Sequence, residues 1–467
     1  FSHMALARCA LLNAALLRGA AAKAGRAWKM QVFDSHLHVW SDSGPYSNGE
    51  PPSAVKQLAT AEQYLQVAHA AGVADALLVQ PANYGRDHAY LERVVEGSLI
   101  ARGRDQGDYG AGTDIAWTTR LCAMYLATDL TPTGEAVPGV EAVMTEEALA
   151  EHACREMGLK SVVGLSEESG ERRHAVYRGV RFNPALFPGQ SLDNHVAERL
   201  WSTAGESGLV VGVMAFTGLK QHVPAIRKLL DASAATQART KKTKLVIDHF
   251  GFFRQPATGG VIDEGGHEAS ELPSWGRSLV DGFDRRRTLE PAEAGWDEEH
   301  GRVSAALLRA LVGRALSPRN DEECFAMLLD LVRDYPEQVY VKLSAFFRVS
   351  KEPFPHLDVL PRVLALLDAT KSSRGGNSSS SKIRLMWGSD FPFVLAGGHE
   401  QNSFAVSYKD AVNIFGAWQR ELQALSGASG VTLRSFGVTD DDIRDIMGGT
   451  ARALFAGERE DPPRDEL

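Results

Sequence analysis

The chain has 467 residues, 44% of them hydrophobic and 23% charged, the balance of a globular protein with material for a large core. Its net charge of −9 argues against nucleic acid or an anionic membrane surface as partner, because both call for a basic face. No apolar run is long enough to span a bilayer. The four cysteines, Cys9, Cys122, Cys154 and Cys324, are too scattered for a disulfide framework or a structural zinc motif, so buried free thiols are expected.

Residues 1–30 contain Arg and Lys but no acid, and read as a leader of organellar or signal type. Met30 offers an alternative start, and with it a cytoplasmic location. The acidic tail 458–467 ends in "RDEL", which is similar to an ER-retention signal and makes an organelle or the ER lumen the alternative.

In chain order, the first strand is "QVFDSHLHVW" at 31–40. Side chains alternate along a strand, so Asp34, His36 and His38 are expected on one face. "TAEQYLQVAHAAG" follows as a helix, with Tyr64, Leu65 and Ala68 at helical spacing and Gly72 as its stop. "DALLVQP" is the second strand, "HAYLERVVEGSLI" a helix and "RLCAMYLATD" the third strand. "TEEALAEHACREMG" reads as a helix capped by Thr145. The fourth strand, "YRGVRFNP", stops at Pro184; "NHVAERLWSTAGESG" is helical and "LVVGVMAF" is the fifth strand.

"VPAIRKLLDASAA" is helical, "KLVIDHFGF" is the sixth strand, and "DEECFAMLLDLVRDYP" is helical. "QVYVKLSAFFR" is the seventh strand and "LPRVLALLDATK" a helix. "IRLMWGSDFPF" is the eighth strand, and "TDDDIRDIMGGTARALF" closes the pattern as one helix capped by Thr439. Strands alternating with helices describe an α/β fold, a (β/α)8 TIM barrel over 31–457. Insertions are expected after strand two ("ARGRDQGDYGAGTDIAWTT") and after strand six (residues 254–320). The second lies on the active-site face, as a lid or as decoration.

Reactive groups of such a barrel gather at the C-terminal ends of its strands. Those positions hold His36 and His38, Gln80 and Tyr84, Arg181 and Asn183, Asp248 and His249, Lys342, Ser344 and Arg348, and Ser389 and Asp390. Taken singly, each has a structural explanation; together they are hard to dismiss. Lys342 reads as a strand residue pointing outward, and Asp248 as one that orients a neighbour.

"DSHLHVW", "VIDHFG", "YVKLSAFFR" and "WGSDFP", in that order and on those strands, resemble the amidohydrolase-related family of TIM-barrel hydrolases. "VQPANYGRDHAYL" is further similar to the branch holding 2-pyrone-4,6-dicarboxylate lactonase and related sugar lactonases. The resemblance implies that His36, His38, a strand-five His, His249 and Asp390 are metal ligands or their relics. Val213 and Met214 stand where the strand-five His is usual, and strand four carries Arg181 but no bridging Lys or Glu. A binuclear centre is therefore not expected. The cofactor is either none or one divalent ion, zinc or manganese, on His36, His38 and Asp390.

The expected reaction is hydrolysis of a small carboxylated lactone or cyclic ester. Asp390 is the general base, the imidazoles of His36, His38 and His249 act on the carbonyl, and Arg181, Arg348, Tyr84 and Asn183 bind an anionic small-molecule substrate. The alternatives are a metal-dependent decarboxylase of an aromatic or muconate-type acid and a non-catalytic barrel scaffold. Nothing in the residues reports an oligomeric interface.

Overall fold

Each apolar run of strand length becomes a strand, and the eight pair in chain order, as the computed structural model of the protein records. It describes residues 31–103, 119–127, 177–235, 242–253, 272–289, 298–372, 383–396 and 405–455, apart from positions 43, 45, 52, 57, 86, 207, 428 and 429. The strands are β1 (Val32–Leu37), β2 (Val73–Val79), β3 (Arg120–Ala127), β4 (Tyr177–Phe182), β5 (Val210–Val213), β6 (Leu245–Ile247), β7 (Val339–Leu343) and β8 (Leu385–Trp387). All neighbours are parallel.

The seam between β8 and β1 is closed by a parallel bridge, Leu37 to Phe391. The backbone N–H groups of Asp390 and His38 donate across it to His36 O and Phe391 O, both at 2.8 Å. The fold is the expected barrel.

Alternation along the strands divides the core in two. Val180, Val211, Ile247, Val341 and Leu385 face outward and join the helices in the larger cluster. Phe33, Val79, Met124, Val210, Val246 and Met386 face inward and fill the barrel. Phe455, from the last helix, closes that interior from below, its ring 6.3 Å from Phe33.

The longer helices are α1 (Ala61–Ala70), α2 (Ala89–Gly103), α3 (His195–Glu206), α4 (Val223–Ala235), α5 (Ser274–Leu289), α6 (Glu298–Ala315), α7 (Arg319–Asp334), α8 (Leu360–Ser372) and α9 (Ile414–Ser426). Helix α1 starts in a capping box. Gln63 N–H donates to Thr60 Oγ1 at 3.2 Å and Thr60 N–H to Gln63 Oε1 at 3.0 Å. It runs out at Gly72, whose φ of +75° only glycine adopts without strain.

Two expectations are corrected, and the stretch 254–320 expected as an insertion carries helices. Helices α5 and α6 lie within it and bury Trp275, Phe283, Leu308 and Leu311 in the main cluster, because their apolar residues recur at helical spacing. The closing helix is not continuous. It opens into a π turn at Asp445–Gly449, where the pair Gly448–Gly449 weakens helical order. Thr450 then donates to Ile383 O at 2.7 Å, tying the last turn to the entry of β8.

The second correction concerns Asp34. Asp34 pairs with Ala76 and Leu37 with Leu78, so β1 spends three residues where β2 spends two. This bulge reverses the alternation. Asp34 faces outward among Tyr64, Tyr408 and Ser389, whereas His36 and His38 face the barrel axis.

Cys122 and Cys324 are buried free thiols, and burial pushes the Cys122 thiol up to about 12. Cys9, Cys154, the leader 1–30, the Thr145 helix, residues 104–118 of the strand-two insertion and the RDEL tail lie outside the described residues. Among the described residues no helix is long and apolar enough to cross a membrane.

Candidate active site

The inward-facing polar residues collect at the C-terminal ends of the strands, above the apolar plug. Asp390 follows β8, and its carboxylate is shared between two surroundings. Oδ1 lies 3.9 Å from His36 Nε2, 3.8 Å from His38 Nε2 and 3.9 Å from His249 Nε2. On the other side Oδ2 accepts from Arg348 Nε at 3.3 Å. Imidazoles from strands one and six thus meet one carboxylate oxygen from strand eight.

Backbone geometry fixes these groups. Asp390, His249 and Ala345 all have positive φ, at 58°, 52° and 54°, a region that costs a non-glycine residue about 1–3 kcal/mol and concentrates at functional sites. Asp34 holds the Asp390 turn in place. Its carboxylate accepts from Ser389 N–H at 2.8 Å, Ser389 Oγ at 2.6 Å and Tyr408 OH at 2.8 Å. Burial nevertheless raises the Asp34 carboxyl above its usual value.

Protonation follows from the surroundings. Burial pushes the Asp390 carboxyl up to about 6, against the pull of Arg348 and Arg181. The imidazoles move the other way. Burial, then Arg181, draws His38 down to about 3. Burial, then Lys342, holds His36 well below its usual value, and burial, then His36, does the same to His249. All three rings are neutral near pH 7.

Beneath them lies a layer of buried charge. Asp248 Oδ1 stands 3.1 Å from Lys342 Nζ and 3.5 Å from His36 Nδ1, and Oδ2 stands 3.5 Å from Arg181 Nε. Burial works to raise the Asp248 carboxyl, but Lys342 and Arg181 together outweigh it and hold it below the usual carboxylate value. Lys342 is fully buried; it points inward, not outward as expected, because its neighbours Val341 and Leu343 take the outward positions. Arg181 also packs its guanidinium on the Met214 sulfur, the residue standing at the usual strand-five ligand position.

The remaining candidates divide. Ser344 Oγ meets His249 Nδ1 at 2.8 Å. Tyr84 is turned to a neighbouring aromatic cluster: its OH accepts from Ser41 N–H at 2.6 Å, and its ring lies 5.1 Å from Tyr46 and 5.8 Å from Tyr90. Asn183 accepts from Ala185 N–H at 3.2 Å and caps a short 3-10 turn. Gln80 Nε2 donates to Asp87 O at 2.7 Å. Aromatic rings wall the imidazoles: Trp40 and Phe393 lie 5.8 and 6.0 Å from His38, and Phe252 lies 4.9 Å from His249. Nothing in the sequence pattern pointed to these walls, since Phe and Trp at loop positions are also ordinary core residues.

The amidohydrolase family model matches residues 33–315. The chain belongs to the amidohydrolase family. As a member it is an enzyme, a hydrolase, and its substrates are small molecules. Among solved structures it is similar to an Acinetobacter baumannii protein assigned as a 2-pyrone-4,6-dicarboxylic acid hydrolase with citric acid bound. That pair shares 14% identity over 92% of this chain and 100% of the other, with a TM-score of 0.47. A Pseudomonas putida protein assigned the same activity shares 20% identity over 91% and 98% of the two chains, with a TM-score of 0.44. An Agrobacterium tumefaciens protein in its apo form shares 15% over 92% and 96%, also with a TM-score of 0.44. No curated protein matches the chain.

Divalent ions are common in the amidohydrolase family, and three donors here can be tested for one. One ligand atom each of His36, His38 and Asp390 lies within 4.8 Å of the others, and His36 Nε2 is 3.2 Å from His38 Nε2. A tetrahedral ion with bonds of about 2.0–2.1 Å needs ligand edges of roughly 3.3 Å. The histidine edge matches that value and the two edges to Asp390 Oδ1, at 3.9 and 3.8 Å, are longer, so the donor set fits one divalent ion once the carboxylate moves inward. For a second, strand five offers Met214 where an imidazole would be needed.

Proposed function

We propose that the protein hydrolyses a small carboxylated lactone or cyclic ester, with Asp390 as general base. What carries the reading is one oxygen, Asp390 Oδ1, within 3.9 Å of three neutral imidazoles while Arg348 holds the other oxygen. A carboxylate whose pKa is raised to about 6 is ionised at neutral pH and still basic enough to take a proton from water.

Water attacks the carbonyl carbon as Asp390 removes its proton. Negative charge then develops on the carbonyl oxygen, where fixed N–H donors are most effective. His249 suits this role: a Ser344 hydroxyl donating to Nδ1 leaves the ring proton on Nε2, on the Asp390 side. As the ring C–O bond breaks, Asp390 returns the proton to the departing alkoxide, giving a hydroxy acid. Arg348 and Arg181 are the cations for the substrate's carboxylate, and the flanking aromatic rings suit a flat cyclic body. An ion, were one held by His36, His38 and Asp390, would supply Lewis acidity at the same place.

A panel of carboxylated lactones, assayed by acid release, tests the proposal; release of CO2 without ring opening would replace it with decarboxylation. The proposed steps run on the chain's own groups, so turnover is expected to survive exhaustive chelation. Loss of activity restored by zinc or manganese would transfer the electrophile's role to the ion.

Arg348→Met removes both an anion contact and the cation beside Asp390. For a carboxylated substrate KM is expected to rise about 100-fold, a loss of roughly 2–3 kcal/mol. Arg348 works to lower the Asp390 carboxyl, so the variant's activity should also set in at higher pH. An unchanged KM would take Arg348 out of substrate binding.

A further inference from the structure

A guanidinium beside a carboxylate ordinarily closes a fork, two parallel N–H bonds of about 2.7–2.9 Å. Arg348 does not do this with Asp390. It donates through Nε alone, to Oδ2, at 3.3 Å. Oδ1 is left on the imidazole side, within 3.9 Å of the Nε2 atoms of His36, His38 and His249. Opposite charges draw such a pair together, so a further contact holds the guanidinium back.

That contact is aromatic. The guanidinium carbon of Arg348 lies 4.7 Å from the centre of the Phe393 ring and 5.4 Å from that of Phe347, both within reach of a cation held over a π face. Phe347 is the preceding residue and moves with Arg348. Phe393 stands on a different segment, the short helix Phe393–Ala396 that follows Asp390, and is the independent anchor. Its half-buried ring is set in turn by Trp40, 6.0 Å away at 88°, and by His38, 6.0 Å away at 80°. Trp40 is itself tied down. Its backbone N–H donates to Ala59 O at 2.8 Å and its Nε1 to Asn83 Oδ1 at 3.1 Å, while its carbonyl accepts from Tyr90 OH at 3.2 Å. From the other end, the helical turn Phe346–Val349 that carries Arg348 starts at Ala345, whose φ of 54° sets its direction.

We propose that Phe393 is a positioning residue, whose ring holds Arg348 to one bond on Asp390 Oδ2 and so keeps Oδ1 turned to the imidazoles. Without the ring the guanidinium closes its fork on both carboxylate oxygens. Oδ1 is then drawn toward Arg348 and away from the side where water is to be activated. The cation is also committed to Asp390 at the expense of a substrate carboxylate.

Crystal structures without substrate test the geometry, so this result is separate from that of the lactone panel. In Phe393→Leu, and in Phe393→Met should the first variant not fold, Arg348 is expected to make two bonds to Asp390, each of about 3 Å or less. Phe393→Tyr keeps the aromatic face and should keep the single bond. A single Nε bond in the folded variants that lack the ring would overturn the proposal. The kinetic consequence rests on the proposed hydrolysis and is read on a matched pair of lactones, one carboxylated and one neutral. Loss of the ring should lower kcat about tenfold or more on both and raise KM for the carboxylated one alone, with Phe393→Tyr close to the parent. An unchanged kcat, with KM raised alike for both, would reduce Phe393 to a wall of the cavity and end its positioning role.

Discussion

Asp390→Asn is expected to lower kcat by about 10²–10⁴-fold, the usual contribution of a positioned general base, while leaving the fold intact. The amide keeps the shape of the carboxylate, and its oxygen can still accept from Arg348, but it cannot take a proton from water. The pH profile makes the assignment specific. The parent carboxyl is pushed up to about 6, and only its ionised form is a base. Below that value kcat/KM should fall about tenfold per pH unit; above it activity should level off. The three imidazoles cannot produce this limb, since burial draws all of them below their usual value and His38 to about 3. Asp390→Asn with parental kcat, measured on a substrate the parent turns over, would remove Asp390 from the chemistry.

The barrel was legible in the sequence because its signals are local. Short apolar runs alternate with helical periods, and Gly72 and Thr439 mark element ends that the backbone obeys. The meeting of His36, His38, His249 and Asp390 was legible for a different reason: in a parallel barrel every strand's C-terminal end points the same way, so residues distant in sequence are brought to one rim by topology alone. The errors came from information a single strand does not carry. Period-two reasoning put Asp34 beside the histidines, and the bulge that separates them becomes visible only in the pairing of β1 with β2. The inward turn of Lys342 could have been inferred by counting from Val341 and Leu343 as outward-facing residues. A buried lysine is rare enough that the outward reading won. Tyr84 and Asn183 follow their strands as expected, yet accept from Ser41 N–H, far off in the chain, and from neighbouring Ala185 N–H, which spacing cannot reveal.

The stretch after strand six carried no sign of its main tether, and here the largest stability effect is expected. Arg362 is 1% exposed, on α8. Its Nη2 donates to Glu322 Oε1 of α7 at 2.7 Å and to Ala315 O, at the end of α6, at 2.9 Å. Glu322 in turn accepts from Trp275 Nε1 of α5 at 2.6 Å and from Ser317 N–H at 2.7 Å. One ion pair thus bonds to both inserted helices. The guanidinium also lies 4.1 Å from the Phe253 ring centroid and 4.8 Å from those of Trp275 and Phe325, a desolvated stacking arrangement that an ammonium could not reproduce. Phe253 ends the segment that begins at His249, and His249, Phe250 and Phe252 in it all have positive φ. Such a backbone persists only where packing holds it. Arg362→Met leaves Glu322 buried without its cation, and breaking one partner of a buried pair costs about 3–5 kcal/mol. The denaturant midpoint should fall accordingly. In variants still folded, kcat should fall too, as the His249 segment loses the stack on Phe253. Glu322→Gln keeps an acceptor for Trp275 or Ser317 and should cost less. A parental midpoint in Arg362→Met would mean that the inserted helices are held by apolar contact alone.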